Sequence, residues 1–305
     1  MYDLIILGGG PAGIAAGIYA SRKRINTLLI TKDFGGQSIN AAKIENFIGT
    51  PAISGVELAN RLESHLRTQN NIEIKDGVFI SAIRKIDGGF EVEDSNRDLY
   101  KTKNVFIALG SSYKKLGIPG EKEYEGKGVF YCSICDAPLM KDKPAVVVGG
   151  GNSAVGSVID LLPYASEIYL FVRGGALKAD QILQERIKKE DKVKILFNSV
   201  IKEIIGEVLV KEIKYADLSA NEEKAMNVSG VFVEIGYKPN TDLVKDLVNL
   251  NERGEIIINH QTMKTSQEGI WAAGDITDVL YDQINPAIGD GIKAVLNIYD
   301  DLNKR

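Results

Sequence analysis

Two stretches of the chain are apolar without alternation, and each runs straight into glycine. Leu4-Ile5-Ile6-Leu7 precedes Gly8, and Ala145-Val146-Val147-Val148 precedes Gly149. Short unbroken apolar runs predict parallel strands covered on both faces. Beyond each glycine turn the pattern changes to helical spacing, over Ile14 to Ala20 and over Val155 to Leu162. Further strands are expected at Thr27 to Thr31, at Val105 to Leu109 ending in Gly110, at Ile168 to Val172, and from Gly269 to Asp275. Val56, Leu58, Ala59, Leu62 and Leu66 predict a helix over 55–70, and Ala287 to Tyr299 predicts another. From Ile72 to Phe106 short strands alternate with turns such as Asp87-Gly88-Gly89, which predicts a small β-meander. The last residues, Asn303-Lys304-Arg305, are expected to fray.

The glycines have a chemical reading. Gly8, Gly10 and Gly13 stand in the frame G-x-G-x-x-G between a strand and a helix, with Pro11 and Ala12 inside the turn. The first glycine makes the turn, the second admits a pyrophosphate, and the third lets helix and strand pack closely. Free N–H groups and the dipole at the helix start favour the phosphate. Gly149, Gly151 and Ala154 repeat the frame as G-x-G-x-x-A, with Asn152 and Ser153 between. One chain therefore carries two dinucleotide units, and two cofactors side by side imply electron transfer between them. No acid ends the second strand of the first unit; Thr31 and Lys32 stand there, with Asp33 just beyond, so no ribose carboxylate is assigned. In the second unit Arg173 takes that place, with Lys178 nearby. Cations there favour a 2′-phosphate and hence NADPH; two solvated surface cations is the alternative.

Composition adds the reactive groups. The chain has 305 residues and only two cysteines, Cys132 and Cys135, spaced Cys-x-x-Cys and followed by Asp136. Thiols at that spacing can close a ring by exchange with another disulfide, and an adjacent acid can pass the proton that disulfide cleavage requires. Half a zinc site and two inert buried thiols are the competing readings. The two histidines, His65 and His260, lie far off in sequence, so no metal is expected. The net charge of −4 gives no support to nucleic acid or an anionic membrane as partner. The start lacks a cationic leader and no apolar run reaches membrane-spanning length, so a cytoplasmic protein is expected, where a lone cysteine pair serves redox chemistry.

With these pieces placed, the chain resembles the low-molecular-weight thioredoxin reductases, and equally the flavoprotein module of the alkyl hydroperoxide reductase F protein. The resemblance covers the whole length. It rests on Gly8 to Gly13, Gly35-Gly36-Gln37, Glu45-Asn46, Cys132 to Asp136, Gly149 to Ala154, and Gly274-Asp275. Leu177 to Gln184 and Gln283-Ile284 look closer to the peroxide-reductase branch. The resemblance implies an α/β fold of two Rossmann-like dinucleotide-binding domains, the second inserted in the first, of three-layer ββα type with a small β-meander. The expected boundaries are 1–113 with 241–305 for FAD and 114–240 for NAD(P)H and the redox disulfide. It implies FAD held by the first glycine loop, Gly35, Gly36, Gln37, Asn46, Gly110, Gly274, Asp275, Gln283 and Ile284. NADPH or NADH would be held by the second loop with Arg173 and Lys178. Electrons would pass from NAD(P)H through FAD and the Cys132–Cys135 disulfide to a separate thioredoxin- or glutaredoxin-like protein. Cys135 would face the flavin, Cys132 would attack the partner, and Asp136 would be the acid/base. Swivelling hinges near Gly110–Lys115 and Ile235–Asn240 and a homodimer are also implied. The chain departs from the family's pattern at Leu109 in place of threonine, Ala137 in place of glycine, and Asp282 in place of a cation. The alternatives are a flavin dithiol oxidase using oxygen, and a redox-sensing binding module without turnover.

Overall fold

The computed structural model describes residues 1–41 and 44–304. The described chain forms two compact units, Met1–Ser112 with Lys238–Arg305, and Tyr113–Tyr237. In chain order the first stretch holds β1 (Tyr2–Gly9), α1 (Pro11–Arg22), β2 (Thr27–Phe34), a 3₁₀ turn (Gly36–Asn40), α2 (Gly55–Arg67), β3 (Ile72–Lys75), β4 (Ile80–Ile86), β5 (Gly89–Asp94), β6 (Leu99–Ile107) and β7 (Ser111–Tyr113). The middle holds β8 (Val129–Phe130), α3 (Ser133–Asp136), β9 (Pro144–Val148), α4 (Asn152–Leu161), β10 (Glu167–Val172), α5 (Gln181–Ile187), β11 (Val193–Phe197), β12 (Ser199–Gly206), β13 (Val210–Asp217), β14 (Glu222–Asn227) and β15 (Gly230–Val233). The return adds β16 (Tyr237–Pro239), β17 (Ile270–Ala272) and α6 (Ile284–Lys304).

In the first unit one mixed sheet runs β3-β2-β1-β6-β5-β4, and β17 also pairs with β6. The pairs β1/β2, β1/β6, β2/β3 and β6/β17 are parallel, whereas β4/β5 and β5/β6 are antiparallel. Strand β6 belongs to both parts. Leu99 to Thr102 pair with the meander, and Val105 to Ile107 pair with β17. Leu4 to Leu7 are fully buried, as their unbroken apolar run requires. Helix α1 starts at Pro11, whose missing N–H costs nothing at a helix start. It packs against α6 at a contact of small groups: a Cβ on Gly291 would lie 2.3 Å from the Ala12 carbonyl oxygen. Helix α2 is capped by Ser54, whose hydroxyl accepts from the Glu57 N–H at 3.2 Å. Helix α6 continues to Lys304, so Asn303 and Lys304 complete its last turn instead of fraying.

The inserted unit has three layers. A parallel sheet, β11-β10-β9-β15-β8, carries α4 on one face and an antiparallel meander, β12-β13-β14, on the other. Alternate residues of β9 serve the two faces. Ala145 and Val147 meet Val155, Val158 and Leu161 of α4, while Val146 and Val148 meet Ile201, Ile204, Ile213 and Tyr215 of the meander. Both units are thus Rossmann-like, with a parallel sheet and a β-meander each. Among the described residues no helix is long and apolar enough to cross a membrane.

Candidate active site

The first glycine loop builds a cradle because side chains are excluded from it. A Cβ on Gly13 would sit 1.9 Å from the Gly8 carbonyl oxygen, so α1 can approach β1 only with glycine there. Gly8 has φ +107°, and a Cβ on it would lie 2.4 Å from the Ala108 carbonyl oxygen. Gly10 differs, since its Cβ would meet nothing nearer than 3.9 Å, leaving its backbone open to a ligand. Gly35 donates its N–H to the Gly9 carbonyl at 2.9 Å and, at φ +96°, turns the chain back toward α1.

These turns surround a cavity of about 380 Å³. Gly8, Gly10, Pro11, Ala12, Gly36, Gln37, Gly110, Gly274 and Asp275 all line it. Gln37 is fixed by donating its amide to the Ser111 carbonyl at 2.9 Å and to the Ser111 hydroxyl at 2.6 Å. Burial pushes the Asp275 carboxyl up, and the charge of Asp282 pushes it further. The wall also includes residues that sequence reasoning did not assign: Thr31, Lys32 and Asp33 at the end of β2, and Asn240, Asp242 and Leu243 after β16. Asn240 anchors this wall by donating to the Leu109 carbonyl at 2.8 Å. The cavity suits a dinucleotide: exposed glycine backbone at a helix start for the phosphates, and polar groups at the end of β2 for a ribose.

Five of the expected flavin-site residues are not among the residues lining that cavity. Gly13 and Gly35 shape the loop from behind. Asn46 donates its amide to Gln283 Oε1 at 3.0 Å, and Asn285 returns a bond to the Asn46 carbonyl at 2.8 Å, so Asn46, Gln283 and Ile284 share a neighbouring corner of the same unit.

The second glycine loop repeats the construction in the inserted unit. A Cβ on Gly149 would lie 2.2 Å from the Glu234 carbonyl oxygen and 2.8 Å from the Ala154 Cβ, whereas one on Gly151 would meet nothing within 4 Å. Asn152 and the turn after β10 clasp each other. Asn152 Oδ1 accepts from the Asp180 N–H at 2.8 Å, and the Lys178 N–H donates to the Gly150 carbonyl at 2.7 Å. Lys178 is therefore placed at the loop; Arg173, directly after β10, is exposed, as is Ser153 at the start of α4.

Cys132 and Cys135 are joined as a disulfide with their Cα atoms 5.4 Å apart. Cys132 is the N-cap of α3, and the Asp136 N–H closes the turn on the Cys132 carbonyl at 3.1 Å. Burial raises the pKa of Asp136, so it holds its proton more tightly than a free aspartate. Ile134, between the two cysteines, and Leu139, four residues after Cys135, are 52% and 54% exposed. Tyr131, just before Cys132, donates to the buried Glu121 at 2.8 Å. No cluster of metal-ligating residues occurs among the described residues.

Comparison with known proteins gives the family. The family model for pyridine nucleotide-disulphide oxidoreductases matches residues 2–291. The alkyl hydroperoxide reductase F protein of Staphylococcus aureus (strain Mu50) is 42% identical over 299 residues, covering 98% of this chain and 59% of that protein. The chain thus spans about three-fifths of the length of the curated relatives it matches. Thioredoxin reductase from Lactococcus lactis superposes with a TM-score of 0.85 at 33% identity, covering 100% of both chains. That from T. acidophilum gives 0.81 at 37% identity, covering 99% of both.

Proposed function

This chain belongs to the pyridine nucleotide-disulphide oxidoreductases, and from that premise we propose that it is an FAD-dependent disulfide reductase acting on a thioredoxin- or glutaredoxin-like protein. The observation that carries the reading is the pairing of a closed Cys132–Cys135 disulfide with a glycine loop of dinucleotide type in one compact unit, while the other unit's own glycine loop lines a cavity.

FAD, when bound, supplies two-electron exchange between a nicotinamide and a disulfide. The residues around it have separable tasks. Gly8, Gly10 and the N-terminus of α1 hold the phosphates, and Asp275 accepts from the sugar chain. Gln37 and Asn240 fix the cavity wall. Gly149, Gly151 and Ala154 receive the nicotinamide nucleotide. Arg173 and Lys178, both exposed at the end of β10 and its turn, favour the 2′-phosphate of NADPH. Reduction of the disulfide takes two electrons and two protons and gives two thiols. Asp136, adjacent to Cys135 and with its pKa raised by burial, is the acid/base. Cys132 attacks the partner's disulfide, and Ile134 and Leu139 give that partner an apolar contact. The names of the similar thioredoxin reductase structures support a thioredoxin-like acceptor, and exposed Ile48, Leu280 and Tyr281 offer the first unit a surface for a second copy of the chain. We place the enzyme in the cytoplasm.

The test is anaerobic titration of the FAD-loaded protein with NADPH and, separately, NADH, following flavin absorbance. Bleaching that is complete by about two equivalents of NADPH is expected, since FAD and the Cys132–Cys135 disulfide each take two electrons. No bleaching with either nucleotide would remove the nicotinamide from this reading, and rapid oxygen uptake with a dithiol would favour an oxidase.

A further inference from the structure

Beneath the redox turn lies a line of four side chains that the proposed reaction does not use. Ser133, the first residue of α3 and the neighbour of Cys132, has its hydroxyl 2.7 Å from Asp160 Oδ2 and 2.8 Å from the Ser157 hydroxyl. The Ser157 hydroxyl is in turn 2.7 Å from Glu234 Oε1. Ser133 and Ser157 are buried, and Asp160 and Glu234 are half-buried. The line therefore runs Asp160, Ser133, Ser157, Glu234. It ties the turn carrying the disulfide to α4 and to the residue directly after β15.

Hydrogen counting decides its state. Three contacts of hydrogen-bond length need three hydrogens, and the two serines supply one each. With both carboxylates ionised, each serine would turn to its own carboxylate, and the Ser133–Ser157 contact would hold two oxygens with no hydrogen between them. One further proton completes the line. Glu234 gives its hydrogen to Ser157, Ser157 to Ser133, and Ser133 to Asp160.

We propose that Glu234 is a positioning residue that carries this third proton, and that its protonation seats the Cys132-x-x-Cys135 turn on α4. The charge environment agrees. Burial, and then the negative charge of Asp160, push Glu234 up from its ordinary value of 4.5 to about 7, against the hydrogen bond from Ser157. The charge that acts on it is that of Asp160 on α4, no cation offsets it among the described residues, and β9 reads Pro-Ala-Val-Val-Val. The same residue also touches the nucleotide loop, through the close approach of its carbonyl to Gly149. One titrating carboxyl thus stands between the nucleotide loop and the redox turn. This deepens the disulfide-reductase reading and rests on it for the turn's importance.

The sign follows from linkage. A carboxyl whose folded value is raised contributes stability that is full below its unfolded value of 4.5 and is lost as pH rises through about 7. Amide hydrogen exchange of the full FAD-loaded chain, corrected for intrinsic rates, reads this directly in peptides covering the turn and the start of α4. Local opening that exposes Glu234 makes their protection fall as pH is raised from about 5 to about 7, by at most about tenfold per unit, and level off above. Glu234→Gln keeps a hydrogen donor facing Ser157, so the turn should stay protected with no such slope. Ser157→Ala cuts the line, so protection of the turn should be low, while the burial that makes Glu234 titrate remains. A flat profile in the parent chain, or the parent's slope retained in Glu234→Gln, would overturn the proposal. If Glu234→Gln does not fold, parent-like protection of the turn in Ser157→Ala, where the line is cut, does the same. The experiment needs neither nucleotide nor partner protein. Failure of the flavin titration would therefore sink the reductase reading alone.

Discussion

Replacing Gly149 by alanine should remove nicotinamide nucleotide binding and leave FAD in place. The added Cβ would lie 2.2 Å from the Glu234 carbonyl oxygen and 2.8 Å from the Ala154 Cβ, at φ +148°, where only glycine is at ease. Neither neighbour is the end of a flexible side chain. Relief requires the end of β9 to move away from β15 and from the first turn of α4, which is the wall of the nucleotide site. Overpacking of this kind costs about 1–3 kcal/mol. A non-glycine residue forced into such a backbone region costs about 1–3 kcal/mol more. If the strain is relieved at the loop, at least about 2 kcal/mol is withdrawn from binding, which is about 30-fold in affinity at 1.4 kcal/mol per tenfold. The assay is nucleotide titration of the anaerobic protein, with FAD content read from the ratio of flavin to protein absorbance. Two variants separate a lost site from a lost fold. Gly151→Ala meets no protein atom within 4 Å, so it should keep its melting temperature and still lose nucleotide affinity, because only a ligand would feel the methyl group. Gly8→Ala, with its Cβ 2.4 Å from the Ala108 carbonyl oxygen, should instead release FAD. Nucleotide affinity of Gly149→Ala within about threefold of the parent chain, or FAD lost together with the nucleotide, would refute the reasoning.

Two further outcomes follow from single residues. Cys135→Ser should leave FAD bound and reducible by nucleotide yet abolish reduction of a thioredoxin-like protein, measured by coupled insulin reduction; retained turnover would remove Cys135 from the site. Glu121→Gln should destabilise the inserted unit by about 1–3 kcal/mol, because an amide nitrogen would replace an oxygen that accepts a backbone N–H. One oxygen of Glu121 accepts from Leu116 N–H and Tyr131 O–H, each at 2.8 Å, and the other from Gly117 N–H at 2.7 Å, with the side chain almost wholly buried. Urea unfolding checks it, and an unchanged midpoint would show that the three bonds are not made in solution.

How far the sequence could be read depended on whether a residue's task is set by its neighbours in the chain or by those in space. The glycine loops were legible because a strand, a turn with forbidden Cβ positions and a helix follow one another within about a dozen residues, and the backbone alone demands glycine there. Helix starts were legible only in part. Apolar spacing places the first inward residue of α1 at Ile14, but the helix begins at Pro11, since a first turn facing a ligand has no apolar face to show. The meander of the inserted unit went unassigned because register shifts between Ile201 and Glu203 and between Ile205 and Gly206 break its alternation, leaving the inward Ile201 and Ile204, and Val210 and Ile213, three residues apart. Asn240, Asp242 and Leu243 could not be assigned to the cavity. They come to it only because the chain leaves and re-enters the first unit through neighbouring strands, β7 and β16, a pairing across more than a hundred residues. The line from Asp160 to Glu234 is the extreme case. In sequence it is a serine between two cysteines, a serine and an aspartate on a helix, and an acid directly after a strand, and each has an ordinary solvated reading. Only the convergence of α3, α4 and β15 makes them one hydrogen-bonded line with a missing proton, and that absence turns four commonplace residues into a titrating device.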